Sequence, residues 1–397
     1  MAILALNVGS SSLKFALFDA AERRLLAGQC RGLAGSGRPC LEWRGAEAEG
    51  SRPLAGGDHQ AALAAVLALV EEQDGLPRPA AVGHRVVHGG ERFADPVVVD
   101  EGVLAALAAL APLAPLHQPP ALAVIRAARR ALPGTLQVAC FDTAFHRTLP
   151  ERERLYAIPR RYAARGVRRY GFHGLSLESV VEVLPFYLGG SADGRVVVAH
   201  LGRGVSLTAL RGRRSLATTM GLTPLDGVPM ATRPGSLDPG ILLWWLREEG
   251  LSAAQIDRML EEESGLRGLV GGSGDLGALL GESRPEAHFA VDYFVHHLAR
   301  AVGSLAAALE GVDALVLTGG LAEHLPELRA RLCRRLAWLG LHFDEAANRR
   351  GEARLSRPDS PVAALALPAD EERVIARHAS RLLAATAGKT KGGANCE

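Results

Sequence analysis

The chain has 397 residues, 48% hydrophobic and 22% charged, so it is long enough for two globular domains and too apolar to be disordered. Its 45 Lys and Arg residues are nearly balanced by 43 Asp and Glu, which lacks the basic excess typical of nucleic-acid binding proteins. The five scattered cysteines form no CxxC pair, and we find neither a signal-peptide pattern nor an apolar run of membrane-spanning length, so we expect a cytoplasmic protein without nucleic-acid or membrane partners.

Apolar runs that alternate or are continuous predict β-strands, and apolar residues repeated every three or four positions predict helices. The two types of element alternate along the chain, which indicates an α/β fold. The predicted strands are Ile3–Asn7, Lys14–Phe18, Ala81–Val87, Leu136–Phe141, Val196–Leu201, Ser206–Leu210, Ala314–Thr318 and Val362–Leu367. The predicted helices are Gln60–Glu72, Val103–Leu110, Leu122–Leu132, Leu177–Leu184, Gly240–Glu249, Ala253–Glu263, Pro285–Leu309, Pro326–Leu339 and Glu371–Ala385.

Two short turns rich in glycine and serine, Gly9–Ser12 and Gly202–Ser206, each join a pair of predicted strands. A connection this short joins antiparallel strands, so we expect mixed rather than purely parallel sheets. The repetition suggests two duplicated domains, each with a turn whose backbone N–H groups can bind an anion. The alternative is coincidence, since turns of this composition are common.

Lys14 directly follows the first of these turns, and the only other lysines are Lys389 and Lys391 near the C-terminus. A compact ammonium group suits a phosphate oxygen, so a lone lysine in an arginine-rich chain suggests a phosphate contact. The alternative is a chance position on a strand.

Short segments that combine glycine with histidine, arginine or aspartate recur along the chain and are typical of a site for anions. For His84, His88 and His146 we favour the alternative of ordinary buried histidines. No histidine pair has the spacing and nearby acid of a zinc site, no GxSxG motif is present, and the GxGxxG match at Gly272–Gly277 follows no strand, so zinc, acyl-transfer and dinucleotide sites are disfavoured. The segments are GHRVVHGG, PLH, FDTAFH, YGFHG, HLGRG and TRPGSLDP.

Over about residues 3 to 380, the chain resembles the acetate kinase family of carboxylate kinases, with its motifs in the same order. The resemblance is carried by LNVGSSSLKFALFD, GHRVVHGGERF, PLAPLHQPPAL, FDTAFHRTLP, YGFHGLS, TRPGSLDPG, TGGLAEH and PADEE. It implies the fold of the acetate and sugar kinase, heat-shock protein and actin superfamily: two duplicated actin-like (ribonuclease H-like) α/β domains with mixed sheets and an active site in the interdomain cleft. It also implies a homodimer.

The domains are then expected to divide near residue 150. Residues 1–150, completed by a C-terminal helix at about 370–386, would form the first domain, and residues 151–369 the nucleotide-binding domain. Residues 387–397 are expected to be a flexible tail, because they are polar and rich in glycine.

The resemblance implies phosphoryl transfer from ATP to acetate, giving acetyl phosphate and ADP by direct in-line transfer with Mg²⁺ or Mn²⁺. Asn7 and Glu371 would hold the metal, with Asp142 acting on it directly or through water. Ser10, Ser12 and Lys14 would contact the phosphates of the nucleotide.

Arg85 and Arg233 would bind the carboxylate and the transferred phosphoryl group, since guanidinium groups match both shapes. His117 and His173 would donate hydrogen bonds to the transition state. Because an ionised carboxylate needs no general base, Asp142 is interpreted as a metal-binding or orienting residue. A small apolar pocket for the methyl group of acetate would be formed by Val87, Leu116, Phe172 and Pro224.

The nucleotide segments depart from the family pattern. Arg203, between Gly202 and Gly204, replaces an asparagine, and Gly277, after Asp275, replaces an arginine whose charge we hypothesise Arg203 supplies. The motif that begins at Gly320 ends in His324 instead of an asparagine.

Three alternatives therefore stay open: a kinase for propionate, a kinase with a non-ATP donor such as pyrophosphate, and a non-catalytic paralogue. The last is disfavoured because the acid-binding and metal-binding residues are all retained.

Overall fold

The computed structural model describes residues 1–35, 37–45 and 49–392, with side chains described as far as Thr386. The chain divides into two compact units. The first comprises Met1–Phe145 and the segment from Asp370 onward, and the second comprises His146–Ala369.

The described part of the first unit contains an eight-stranded mixed sheet with the order β5-β4-β3-β2-β1-β6-β8-β7. Strands β1 to β5 form an antiparallel meander, whereas β6 and β8 are parallel to β1, and β7 is antiparallel to β8. The strands are β1 (Ala2–Val8), β2 (Ser12–Asp19), β3 (Arg24–Arg31), β4 (Cys40–Gly45), β5 (Glu49–Pro53), β6 (Pro79–Val86), β7 (Val97–Val98) and β8 (Leu136–Phe141).

The second unit contains a five-stranded sheet with the order β11-β10-β9-β12-β13. Strands β9, β10 and β11 are antiparallel neighbours, and β12 and β13 are parallel to β9. The order and directions match those of β3-β2-β1-β6-β8 in the first unit, so the two units repeat one topology. The strands are β9 (Arg195–Leu201), β10 (Val205–Arg211), β11 (Arg214–Thr218), β12 (Ala314–Thr318) and β13 (Ala363–Ala366).

Helices connect the parallel strands, as parallel connections require. A π-helical turn follows α8 at Met259–Glu263, and 3₁₀ turns lie at Ala111–Leu113, Ala144–Thr148, Gly189–Asp193 and Ala337–Leu339. The α-helices are α1 (His59–Glu72), α2 (Glu101–Ala108), α3 (Gln118–Ala131), α4 (Glu151–Arg154), α5 (Arg160–Ala163), α6 (Gly174–Leu188), α7 (Pro239–Arg247), α8 (Ala253–Arg258), α9 (Gly265–Val270), α10 (Leu276–Gly281), α11 (Pro285–Leu309), α12 (Gly320–His324), α13 (Pro326–Arg335), α14 (Glu345–Arg350) and α15 (Glu371–Gly392).

Strand β1 is buried along its whole length because helices cover both faces of the first sheet. Leu4 and Leu6 on one face pack in a core with Val66 of α1 and Val124 of α3. Helix α15 packs against β1 and β6, where a Cβ on Gly83 would lie 2.5 Å from Ile375 Cγ2. This close approach brings the start of α15 to the strand ends that carry the candidate site.

The predicted helix Ala253–Glu263 is wrong in its second half, because Met259–Glu263 forms a π-helical turn in place of α-helix. The predicted helix Pro326–Leu339 likewise ends earlier, at Arg335. Helix α15 continues to Gly392, beyond the predicted end at Ala385, so residues 387–392 of the predicted tail are helical. Of the predicted tail, residues 393–397 lie outside the described residues. None of the described helices combines the length and the apolar character that a membrane span needs.

Candidate active site

The turn between β1 and β2 is held by contacts from distant parts of the first unit. The Gly9 N–H donates to the Ser12 carbonyl at 2.8 Å, and the His59 ring contacts the Gly9 carbonyl, also at 2.8 Å. The Leu33 N–H donates to the Ser11 carbonyl at 3.1 Å. The predicted phosphate turn is therefore fixed in shape by its surroundings.

A buried polar network lies where β1, β6 and β8 end. Arg85 donates from Nη2 to Asp142 Oδ2 at 2.6 Å and from Nε to the same oxygen at 3.0 Å. Its Nη1 donates to Asn7 Oδ1 at 3.1 Å, and the Asn7 amide donates to Glu371 Oε2 at 2.8 Å and to Glu372 Oε1 at 2.9 Å. One asparagine thus connects an arginine–aspartate pair to two carboxylates on α15.

Burial and charge act in opposite directions on Arg85. Burial alone would lower the pKa of Arg85, but the charges of Asp142 and Glu371 outweigh it and hold the pKa above its usual value. Burial and the charge of Glu371 raise the pKa of Glu372, although Lys14 and Asn7 oppose that shift. The network therefore keeps a charged guanidinium beside a pair of crowded carboxylates.

The loop after β6 is tied to the start of α3 by a buried glutamine. Gln118 Nε2 donates to the His88 carbonyl at 3.0 Å, and the His88 N–H donates to Gln118 Oε1 at 3.3 Å. This clamp joins the segment of Arg85 and Val87 to that of Leu116 and His117. Val87 is buried, whereas Leu116 and His117 are half-buried.

In the second unit, His173 is held in an unusual conformation. Its φ of 59° lies in the left-handed region, which a non-glycine residue adopts only when its surroundings require it. Its Nδ1 pairs with Ser206 Oγ at 2.9 Å, and its ring stacks on His200 with centroids 4.1 Å apart. A Cβ at Gly204 would lie 3.1 Å from His173 Nε2, so this glycine lets the β9–β10 turn approach the ring.

Arg233 donates from Nε to Glu261 Oε2 at 2.6 Å, and both side chains are largely buried. Glu261 lies in the π-helical turn. Burial, together with the charge of Arg233, lowers the pKa of Arg203. Two cationic groups of the second unit are therefore close enough to affect each other.

A cavity of about 600 Å³ opens beside the β9–β10 turn. Its polar side includes Gly202, Arg203 and Asp275, and its apolar side includes Phe294 and Leu321. The Asp275 carboxylate also accepts from the Ala278 N–H at 2.8 Å and so caps α10. Such a combination of an apolar wall with a few charged groups is usual for a small-molecule site.

Of the predicted nucleotide residues of the second unit, four are not among those that line this cavity: Gly204, Gly277, Gly320 and His324. Gly277 lies in the first turn of α10, and Gly320 and His324 are the first and last residues of α12. His324 is exposed. The cavity is nevertheless reached by α12 through Leu321.

The loop that carries Pro224 is held by Arg169 and Tyr156. Arg169 Nη1 donates to the Thr219 carbonyl at 2.8 Å and to Asp226 Oδ2 at 3.3 Å, and the Leu222 N–H donates to the Tyr156 hydroxyl at 2.9 Å. Pro224 and Phe172, the predicted pocket residues of this unit, are both buried.

The structure brings Asn7, Arg85, Asp142 and Glu371 together in one network, and it places His173 beside the Gly202–Gly204 turn. Sequence reasoning missed the partners that position these groups. Three of them had a signal in the sequence: Glu372 follows Glu371 directly, Gln118 lies in the PLAPLHQPPAL motif, and Ser206 ends the Gly202–Ser206 turn. The missed residues are His59, Gln118, Ser206, Glu261 and Glu372.

The donor set beside Asn7 fits a hard divalent cation. In the described part of the chain, no three His, Cys, Asp or Glu side chains converge as a ready-made metal site. Glu371 and Glu372 nevertheless present carboxylate oxygens next to the Asn7 amide, and Mg²⁺ typically uses one or two carboxylates together with water and substrate phosphates. A cation would also relieve the charge crowding that raises the pKa of Glu372.

The repeated topology and the Gly/Ser turn of each unit define the duplicated actin-like fold that the sequence predicted. Solved structures agree with this assignment. A propionate kinase from Francisella tularensis superposes with a TM-score of 0.89 at 34% identity, covering 96% of this chain and 99% of that one. An acetate kinase from Porphyromonas gingivalis superposes with a TM-score of 0.84 at 35% identity over the same shares.

The sequence comparisons narrow the class to one family. The acetokinase family model matches residues 2–377. An acetate kinase from Rhodopseudomonas palustris (strain TIE-1) is 48% identical over 393 residues, covering 96% of this chain and 98% of that protein. One from Deinococcus deserti is 44% identical over 398 residues, covering 98% and 99%. The chain belongs to the acetokinase family.

Proposed function

We propose that this protein transfers the γ-phosphoryl group of ATP to acetate, giving acetyl phosphate and ADP. The observation that carries the proposal is the network in which Asn7 connects the Arg85–Asp142 pair to Glu371. It supports the proposal because a guanidinium suited to the acid and carboxylates suited to a metal lie in one network.

The acid is the nucleophile and is already ionised, so the protein needs no general base. Asp142 fixes the orientation of Arg85 through two nitrogens, and Arg85 retains N–H groups that can donate to the substrate carboxylate. His173 donates to the transferred group, with its ring oriented by Ser206, and Arg233 neutralises the charge that develops on it.

Asn7, Glu371 and Glu372 would hold Mg²⁺ or Mn²⁺. When bound, the cation neutralises phosphate charge and orients the donor. Lys14, Ser10 and Ser12 contact the donor phosphates, and the cavity lined by Arg203 and Asp275 receives the nucleoside. Arg203 supplies positive charge at that cavity.

Phosphorylation of propionate is the second candidate function, because the propionate kinase from Francisella tularensis superposes on the chain at a TM-score of 0.89. Val87, Leu116, Phe172 and Pro224 are proposed to bind the alkyl group. An extra methylene changes binding by only about 1–3 kcal/mol in such a pocket, so acetate is expected to be preferred without excluding propionate.

A hydroxamate assay for acyl phosphate tests both candidates. It crosses acetate and propionate with ATP, GTP and pyrophosphate in the presence of Mg²⁺. Arg85→Ala is the blank, and Arg44→Ala, which removes an exposed arginine paired with Glu49, is the matched control.

Signal with acetate and ATP in the wild type and the control, absent in the blank, is the expected result. Signal only with propionate or another donor would replace the proposed substrate. No signal in any combination would indicate a protein that has lost catalysis.

A further inference from the structure

A second cavity, separate from the candidate active-site residues, lies among short helices of the second unit. It has a volume of about 340 Å³. Its charged walls are Arg154, Arg160, Arg168 and Glu151. This volume is at the lower end of the range of ligand pockets, roughly 300–1,000 Å³, so the cavity suits a small molecule.

The four charged residues of these walls are three arginines and one glutamate. Arg154 Nε is buried and finds no hydrogen-bond partner among the described residues. A buried N–H group without an acceptor is energetically unfavourable, and a ligand oxygen in the cavity would satisfy it. Arg160, on the same wall, is exposed to solvent.

We propose that this cavity binds a small phosphate dianion, either inorganic phosphate or a phosphomonoester. Guanidinium groups match phosphate oxygens in shape and donate charge-assisted hydrogen bonds to them. Arg154 and Arg160 can each donate to the oxygens of such a dianion, whereas Glu151 disfavours further negative charge.

The surrounding backbone holds the arginines in place. The Arg169 N–H donates to the Arg154 carbonyl at 2.7 Å, and this bond joins the end of α4 to the segment that carries Arg168. Leu155 and Ala163 complete the wall between the arginines. The site is therefore built from ordered chain and does not depend on a substrate of the proposed reaction.

Equilibrium dialysis of the full chain against inorganic phosphate, and separately against glycerol 3-phosphate, tests the proposal. The variant Arg154→Gln/Arg160→Gln should bind one ligand fewer per chain than the wild type. The matched control Arg161→Gln/Arg165→Gln removes the same charge from the same segment, outside the cavity walls, and should keep the wild-type stoichiometry. The ligand whose stoichiometry differs between the wild type and the cavity variant shows whether the cavity binds inorganic phosphate or a phosphomonoester.

Arg154 is partly buried, so its replacement also affects packing. Arg160 is exposed, and Arg160→Gln alone is therefore the second variant. It should weaken phosphate binding in this cavity about tenfold with the fold intact. Arg233→Gln, which alters the proposed phosphoryl site, should leave this binding in place, so the result does not depend on the proposed function. Equal stoichiometry and affinity in the wild type and both cavity variants, for both ligands, would overturn the proposal.

Discussion

His84 and His146, both buried, make the folding free energy depend on pH. Burial lowers the pKa of each to about 4, although a hydrogen bond to Gln137 or to the Phe172 carbonyl partly opposes the shift. Between pH 6.5 and 4 the unfolded chain binds protons that the folded chain does not, so stability falls as pH falls through this window. Each histidine should lower the free energy of unfolding by about 2 kcal/mol between pH 7 and pH 5.

Urea unfolding of the wild type and of His146→Gln at these two pH values measures the effect. The variant should lose less stability on acidification than the wild type, by about 2 kcal/mol. His288→Gln, at an exposed histidine, should keep the wild-type dependence. An unchanged dependence in His146→Gln would contradict the assignment of a neutral buried imidazole.

Ser206 is a positioning residue for His173, whose ring nitrogen it contacts at 2.9 Å. Ser206→Ala removes the partner that selects the orientation and tautomer of the ring. We expect kcat in the hydroxamate assay to fall about tenfold with little change in KM, because the lost contact matters most in the transition state. Ser191→Ala, at an exposed serine, is the control, and a kcat equal to that of the control would refute this role.

At the scale of elements, the packing of α15 on β6 determines whether its carboxylates reach Asn7. Gly83→Ala would place a Cβ 2.5 Å from Ile375 Cγ2 and 3.0 Å from the Ile375 carbonyl. Overpacking of this kind costs about 1–3 kcal/mol, so Tm should fall by roughly 2–10 °C. Because the start of α15 would shift, half-maximal activity should also require more Mg²⁺.

Differential scanning calorimetry and a Mg²⁺ titration of activity check both expectations. Gly190→Ala is the control, since a Cβ there meets nothing within 4 Å. A Gly83→Ala protein with wild-type Tm would show that the helix can move away without cost.

The elements that sequence analysis missed are mainly strands at or near sheet edges. Strands β5 and β11 have polar residues along them, and their pairing partners are set by the sheet, not by their own pattern. The strands at the sheet centres were predicted because helices bury both of their faces and the sequence is correspondingly apolar. The local pattern did not predict the π-helical turn, whose Glu261 contacts Arg233, a residue 28 positions away.

At the scale of the whole molecule, we propose that the chain forms a homodimer through α7. This helix has no buried residue, and Leu243, Trp244 and Leu246 are 46–51% exposed. An exposed apolar patch of this kind often marks an interface. Analytical ultracentrifugation should therefore give a molecular mass twice the 41.9 kDa of one chain.

Trp244→Glu should shift this equilibrium toward monomer, because it places a charge in the apolar patch. Trp338→Glu introduces the same charge at an exposed tryptophan outside α7 and should leave the dimer intact. A wild-type monomer, or a Trp244→Glu dimer of unchanged stability, would contradict the proposed interface.

The central strands, the mixed character of the sheets and the family could be predicted from the sequence, because these depend on local apolar periodicity and on motifs that are contiguous in the chain. The sequence also placed Asn7, Arg85, Asp142 and Glu371 among the candidate residues. Their pairing is seen only in the folded chain: Asp142 orients Arg85, and Asn7 joins Arg85 to Glu371, which is 364 positions from Asn7. Such contacts arise from strand order and helix packing, which residue spacing along the chain does not encode.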